Sequence, residues 1–182
     1  MVVGMDLASL SELFELARRQ TGHTEFVIVG SLSVLGVLDR VGVPPRMLMS
    51  IDVDCYTRGD PGRIFELNPT LGQGSVFESE HGFYLDPLSP DVLTLPDNWE
   101  HRLVRVPLEN GVVLFFLDPN DAAVSKYARC DPRDREWIRA GLNAGVINAG
   151  VIESRFRQTA FLDQDEQDRA RLALGEDRAI SR

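Results

Sequence analysis

The hydrophobic pattern of this chain changes once, near residue 118, and this change restricts most strongly the folds that the chain can adopt. Before residue 118, short β-branched and aromatic runs are separated by glycine and proline turns, which is typical of strands. After Pro119, apolar residues recur only at the spacing of α-helices. The sequence therefore predicts an α/β (α+β) chain, in which a small mixed-sheet core over residues 1–118 precedes a helical C-terminal subdomain over residues 119–182.

The individual elements are predicted from hydrophobic period and turn residues. Apolar spacing predicts a first helix over residues 7–20, with Ser9 or Ser11 as its N-cap. Asp118 followed by Pro119 predicts the start of the first C-terminal helix. The other predictions are strands over 25–29, 47–56, 82–86 (with Phe77 before it), 102–107 and 111–117, helical segments over 32–41 and 63–67, and C-terminal helices over 119–128, 134–144, 150–160 and 164–174.

Composition excludes several classes of protein. The chain has 182 residues, and no apolar run approaches the roughly 20 residues that cross a bilayer. Its two cysteines, Cys55 and Cys130, form no C-x-x-C pair and are typical of a reducing compartment. We therefore expect a cytoplasmic protein without a membrane partner. The formal net charge of −9 disfavours broad, non-specific binding to nucleic acid, because neutralised phosphates supply most of that affinity.

Lys126 is the only lysine among 19 basic residues. A single lysine in an arginine-rich chain indicates a position that prefers a compact ammonium group to a guanidinium fork. Lys126 opens a basic run over residues 126–139 that is interleaved with acids, and we interpret this run as a solvated helical face. Contact with phosphate or RNA is the alternative. Trp137, in the same run, is expected to anchor the core or a subdomain interface.

Acidic residues and a glycine turn form the chemically most informative pattern. Asp52 and Asp54 are two residues apart on a predicted strand, so their side chains project from one face about 6.6 Å apart along the strand. Carboxylate oxygens without nearby histidine or cysteine suit Mg²⁺ or Mn²⁺. Gly30 and Ser31 end the preceding strand and open a predicted helix, where free N–H groups favour a phosphate. A cation site beside a phosphate site suits metal-assisted phosphoryl or nucleotidyl transfer.

Each half of this pattern also has a simpler interpretation. A D-x-D pair on an edge strand is often solvated surface, and a Gly-Ser pair after a strand is often a plain turn. The order of the two motifs along the chain, with a predicted helix between them, favours a joint site about as strongly as it favours these alternatives.

The two motifs together resemble a known signature. Phe26–Ser31 followed by Ser50–Asp54 is similar to the polymerase-β-like nucleotidyltransferase superfamily, in which a strand ends in Gly-Gly or Gly-Ser and the next strand carries acid-hydrophobic-acid. Later residues resemble the helical motif of the bacterial branch related to AbiE-type abortive-infection toxins and to uncharacterised nucleotidyltransferase-like proteins. They are Asp118, Pro119, Asp121, Lys126, Ala128, Arg129, Arg133 and Asp134. The resemblance covers about residues 20–145.

This resemblance implies a set of metal ligands. Asp52 and Asp54 would bind catalytic Mg²⁺ (or Mn²⁺). The superfamily usually has a third acid on a later strand, which serves as a metal ligand and as the base for the attacking hydroxyl. Asp86, at the end of its predicted strand, matches best, although Pro87 follows it at once, and Asp118 is the alternative.

The resemblance also implies how a nucleotide would bind. Gly30 and Ser31 would hold the β- and γ-phosphates of a nucleoside triphosphate (NTP). Lys126 would contact the triphosphate from the helical side. The first motif has serine where many relatives have a second glycine, a substitution that the superfamily tolerates.

The function implied is Mg²⁺-dependent transfer of a nucleoside monophosphate from an NTP to an acceptor hydroxyl on a tRNA, a protein or a small molecule. The branch also implies a toxin of a toxin–antitoxin or phage-defence system, with a cognate antitoxin as partner. The alternative is a catalytically inactive nucleotidyltransferase fold that binds a nucleotide or a protein.

Overall fold

A computed structural model of the chain describes residues 4–181. Its five strands are β1 (Glu25–Ile28), β2 (Asp52–Thr57), β3 (Tyr84–Pro87), β4 (Val104–Pro107) and β5 (Val113–Phe116). They form one sheet in the order β3-β2-β1-β5-β4. β1 pairs with β5, and β2 with β3, in parallel, whereas the β1–β2 and β4–β5 pairs are antiparallel. The predicted α+β class with a mixed sheet is confirmed.

Seven α-helices accompany the sheet in the described part of the chain. They are α1 (Leu7–Thr21), α2 (Asn68–Leu71), α3 (Val76–His81), α4 (Pro119–Arg129), α5 (Pro132–Ala144), α6 (Ala149–Phe156) and α7 (Gln164–Ile180). Five 3₁₀ segments lie between them, at Gly30–Val37, Pro45–Leu48, Pro61–Leu67, Pro90–Val92 and Trp99–Arg102. Within residues 4–181, no helix combines the length and the apolar character needed to cross a membrane.

One hydrophobic core joins the sheet and the C-terminal helices. Leu10 and Phe14 of α1 are buried in it, and the ring centroid of Phe14 lies 4.8 Å from that of Phe26 in β1. Ile138 of α5 and Leu174 of α7 belong to the same cluster. Residue 118 therefore marks a change of secondary structure, and the division into two subdomains there stays a prediction.

The caps of two helices can be compared with the predictions. Asp118 caps α4 as expected, because its carboxylate accepts a hydrogen bond of 2.8 Å from the backbone N–H of Asn120. The predicted caps of α1 are wrong. Asp6 occupies that position with extended backbone, and its carboxylate accepts from the N–H of Ser9 at 2.8 Å. Ser9 and Ser11 lie inside the helix, since the chain turns helical directly after Asp6.

The helix predicted over residues 32–41 is wrong in type and in length. The segment Gly30–Val37 is a 3₁₀ helix whose residues 32–36 are all buried. It packs tightly against β5, because a Cβ atom on Gly36 would lie 2.6 Å from the Cβ atom of Phe116. A segment buried on every side lacks the polar face that stabilises an ordinary surface α-helix.

The strands near the acidic motif also begin later than predicted. β2 starts at Asp52, because Pro44 and Pro45 lead into a 3₁₀ turn that takes up the residues around Met47. Phe77 lies in α3, whose first turn is capped by the hydroxyl of Ser75. β3 extends through Pro87, which the sheet tolerates because β3 is an edge strand.

Candidate active site

Three carboxylates meet where β2 lies beside β3. The parallel pairing places Asp54 directly opposite Asp86, and Asp52 projects from the same face of β2 two residues earlier. Each of the three side chains offers an oxygen atom, and these atoms lie within 4.8 Å of one another. All three residues are half-buried. The pairing of the strands thus gathers an acid from a distant part of the sequence into the predicted D-x-D pair.

Burial and mutual repulsion act together on the carboxylates of this acidic cluster. Burial, together with the negative charges of Asp52 and Asp86, raises the pKa of Asp54 from 3.8 to about 7, although Lys126 and Arg129 act in the opposite direction. Burial and the charge of Asp52 also raise the pKa of Asp86. A bound divalent cation would remove this repulsion.

The turn after β1 lies against the acidic cluster. Gly30 has a φ of +65°, a left-handed conformation that favours glycine. A Cβ atom at this position would lie 2.0 Å from Oδ2 of Asp54. The backbone N–H of Val29 also donates to the carbonyl of Asp54 at 2.9 Å. Glycine is therefore required here both by the backbone conformation and by the position of the carboxylate.

Lys126 on α4 holds the side chain of Ser31. Its ammonium group donates to Oγ of Ser31 at 3.0 Å and to a carboxylate oxygen of Asp134 at 2.8 Å. Arg129 binds Asp134 through two hydrogen bonds, of 2.7 and 2.8 Å. Burial alone would raise the pKa of Asp134, but Arg129 and Lys126 outweigh it and hold that pKa below its ordinary value. The ammonium of Lys126 is thus buried beside an ionised carboxylate.

Trp137 on α5 holds the backbone of the same serine. Its indole Nε1–H donates to the carbonyl oxygen of Ser31 at 3.1 Å. The centre of its ring lies 5.0 Å from Nζ of Lys126, within the range of a cation–π contact. Two helices from the C-terminal part of the chain therefore fix Ser31 through both its hydroxyl and its carbonyl group.

A comparison with protein families identifies the family of this chain. Residues 6–177 match the family DUF6036, which is described as a nucleotidyltransferase of unknown function. The chain belongs to this family. None of the curated proteins and none of the solved structures matches the chain. The predicted likeness to nucleotidyltransferases is confirmed at this level, whereas the AbiE-type branch stays a prediction.

Within this family member, the structure distinguishes the two candidates for the third acid by position. Asp86 lies in the acidic cluster beside Asp52 and Asp54. The carboxylate of Asp118 caps α4 through Asn120 instead and is not part of the cluster found in residues 4–181. The structure therefore brings Asp86, rather than Asp118, together with Asp52 and Asp54. The roles of all these acids stay predictions.

Asp134 and Trp137 have contacts that the sequence does not predict. The sequence indicates Asp134 only as part of the helical motif, whereas in the structure its carboxylate binds both Lys126 and Arg129. The prediction that Trp137 is an anchor agrees with its burial, but its hydrogen bond to Ser31 was not foreseen. The one signal for this arrangement in the sequence is that Lys126 is the single lysine of an arginine-rich chain.

A cleft of about 360 Å³ opens beside the turn and the first acid. Ser31 and Asp52 form part of one wall, and Trp137 and Arg133 of α5 form part of another. Apolar residues also line the cleft, among them Ile51, which is 54% exposed. A ligand in this cleft would contact the sheet and the C-terminal helices together.

Proposed function

We propose that the chain is a nucleotidyltransferase that uses Mg²⁺, or Mn²⁺, to transfer a nucleoside monophosphate from an NTP to an acceptor hydroxyl. One observation carries the proposal: the oxygens of Asp52, Asp54 and Asp86 lie within 4.8 Å of one another, and Asp54 packs against the Gly30 turn. Membership of a family described as nucleotidyltransferases supports it.

The residues of the acidic cluster fit a hard divalent cation. All three donors are carboxylates, the ligands that Mg²⁺ and Mn²⁺ prefer. Burial and the repulsion between neighbouring carboxylates raise the pKa values of Asp54 and Asp86, and a bound cation would relieve both effects. The cation, when bound by these acids, would neutralise charge that develops on the phosphates during transfer.

Ser31 and its neighbours would bind the phosphates. Because Lys126 donates to Oγ of Ser31, the hydroxyl hydrogen of Ser31 is left to donate to a bound anion. Gly30 allows the backbone to approach the phosphates closely, since it carries no side chain. An ammonium group has three donor hydrogens, and Ser31 and Asp134 use two of those on Lys126. A contact of Lys126 with the triphosphate is part of the proposal.

Asp86 would act as the base. Its carboxylate lies within 4.8 Å of those of Asp52 and Asp54, so an acceptor hydroxyl brought to this cluster would meet it as a proton acceptor. The acceptor hydroxyl would transfer its proton to Asp86 while its oxygen forms a bond to the α-phosphorus of the NTP. The bond from the α-phosphorus to the bridging oxygen would break, and pyrophosphate would leave.

The proposal also includes an acceptor and a biological role. The acceptor hydroxyl would belong to a tRNA, a protein side chain or a small molecule. The resemblance to AbiE-type proteins supports the role of a toxin that a cognate antitoxin restrains. A cytoplasmic location stays a prediction from the sequence.

Label transfer tests the proposal. The purified protein is mixed with Mg²⁺, RNA, cell lysate and each α-³²P-labelled NTP in turn, and labelled products are separated and identified. We expect one class of acceptor to become labelled, and we expect Asp52→Asn to abolish the labelling. Asp60→Asn, at an exposed aspartate outside the cluster, serves as the matched control and keeps the activity. Label transfer that survives Asp52→Asn would contradict the assignment of the site.

A further inference from the structure

The cleft beside the acidic cluster carries a second charged feature. Ser31 and Asp52 line it near the proposed phosphate and metal positions, and Arg133, near the start of α5, lines it as well. The Arg133 side chain is exposed and therefore accessible to a ligand. A chain of phosphates that starts at the acids and passes Ser31 would run through this cleft.

Arg133 differs from the basic residues around it. Lys126 and Arg129 both bind Asp134, while Arg135 and Arg139 both bind Asp177. Arg46, which also lines the cleft, pairs with Glu136. Among the ion pairs of residues 4–181, none includes Arg133, although acids precede and follow it in the sequence.

The neighbouring acids are already engaged elsewhere. Asp131 caps α5, and its carboxylate accepts from the backbone N–H of Arg133, not from the guanidinium. Asp134 is occupied by Lys126 and Arg129. The cleft therefore contains one guanidinium group whose charge the described part of the chain does not neutralise by contact.

We infer that the guanidinium group of Arg133 binds the terminal phosphate of the NTP donor. This inference rests on the proposed function and extends it to a specificity-determining residue. A guanidinium fork matches a phosphate through two parallel hydrogen bonds, and it stays charged at every physiological pH. Arg133 would thus select donors that end in a free triphosphate, because the contact is lost when the terminal phosphate is absent.

Calorimetric binding of inorganic triphosphate, in the presence of Mn²⁺, tests the inference without any turnover. We expect Arg133→Gln to weaken triphosphate binding by about tenfold or more, since a hydrogen-bonded charge is removed. The triphosphate affinity of Arg133→Lys should lie between those of the wild-type protein and Arg133→Gln, because lysine keeps the positive charge but lacks the guanidinium fork. The matched control is Arg105→Gln on β4, at the opposite edge of the sheet, which removes the same charge from an exposed position and should leave binding unchanged.

A third variant, Asp52→Asn, separates this inference from the proposed function. If Arg133→Gln binds triphosphate as tightly as Arg105→Gln does, the inference is wrong, even when Asp52→Asn abolishes Mn²⁺ binding and so upholds the metal site. If Arg133→Gln weakens binding while Asp52→Asn leaves Mn²⁺ binding intact, the anion site stands and the transferase proposal fails. A wild-type protein that binds neither Mn²⁺ nor triphosphate would overturn both.

Discussion

At the scale of single residues, both the backbone conformation and a neighbouring carboxylate exclude a side chain at Gly30. Its left-handed φ disfavours any side chain, and the space that a Cβ atom would occupy is already filled by the carboxylate of Asp54. Gly22, at the end of α1, has a similar φ of +74° but no atom within 4 Å of its would-be Cβ. The two glycines therefore share the backbone requirement and differ in the contact.

This difference predicts different effects of two alanine substitutions. Gly22→Ala should lower the free energy of unfolding by about 1–2 kcal/mol, because alanine is strained in the left-handed region, and Gly30→Ala should lower it by more, because its Cβ atom would also meet the carboxylate of Asp54. Only Gly30→Ala should also displace the Asp54 carboxylate and weaken Mn²⁺ binding. Urea denaturation and titration with Mn²⁺, followed by electron paramagnetic resonance, measure the two effects. Wild-type Mn²⁺ affinity in Gly30→Ala would show that Asp54 does not contribute to a metal site.

At the scale of secondary structure elements, α4 and α5 both hold the turn after β1 by hydrogen bonds. α4 supplies Lys126 and α5 supplies Trp137, and both donate hydrogen bonds to Ser31. Asp134 is buried between these helices and holds Lys126 in place. Removal of one partner of such a buried ion pair leaves an uncompensated charge, which costs more than the loss of a surface pair.

Asp134→Asn should therefore lower the free energy of unfolding by about 3 kcal/mol or more. The double variant with Lys126→Met should recover part of this loss, because no unpaired ammonium then remains buried. Asp39→Asn, at an exposed aspartate, is the matched control and should change stability little. Urea denaturation of the four proteins checks these values, and a loss below about 1 kcal/mol for Asp134→Asn would mean that the pair does not hold the helices together.

At the scale of the whole molecule, the negative charge is concentrated in the sheet-containing part. Residues 1–118 carry the whole net charge of −9, and residues 119–182 are balanced. The acidic cluster lies in the first part, and the basic side chains that approach it, Lys126, Arg129 and Arg133, come from the second. A nucleotide with its metal ion would bind between the two and should stabilise the molecule as a whole.

Thermal unfolding tests this expectation against a catalytically silent binding module. An NTP at about 100 times its dissociation constant should stabilise the protein by about 2.7 kcal/mol, which corresponds to roughly 5–10 °C for a chain of this size. The stabilisation should require Mg²⁺ and should disappear in Asp52→Asn, but not in the Asp60→Asn control. Stabilisation that is independent of Mg²⁺ would favour the inactive binding module.

The local patterns of the sequence were sufficient for several features of this fold. The i, i+2 spacing placed Asp52 and Asp54 on one face, because alternation along a strand needs no information from elsewhere in the chain. Asp118 with Pro119 correctly predicts the start of α4, because a helix cap also depends only on residues that are adjacent in the sequence. The helix predicted over residues 32–41 is wrong, because the contacts of Gly30–Val37 with β5 and α4 override the local preference for an α-helix.

The sequence by itself determined the mixed class of the fold, the glycine turn and the pair of acids that follows it, since each depends on neighbours a few residues apart. Only the tertiary structure decided that Asp86 joins those acids, because this depends on the parallel register of β3 with β2. It alone decided that Lys126 bonds to Ser31, 95 residues away, because helix packing brings them together. Contacts between distant segments depend on how the complete chain packs, so local sequence patterns do not predict them.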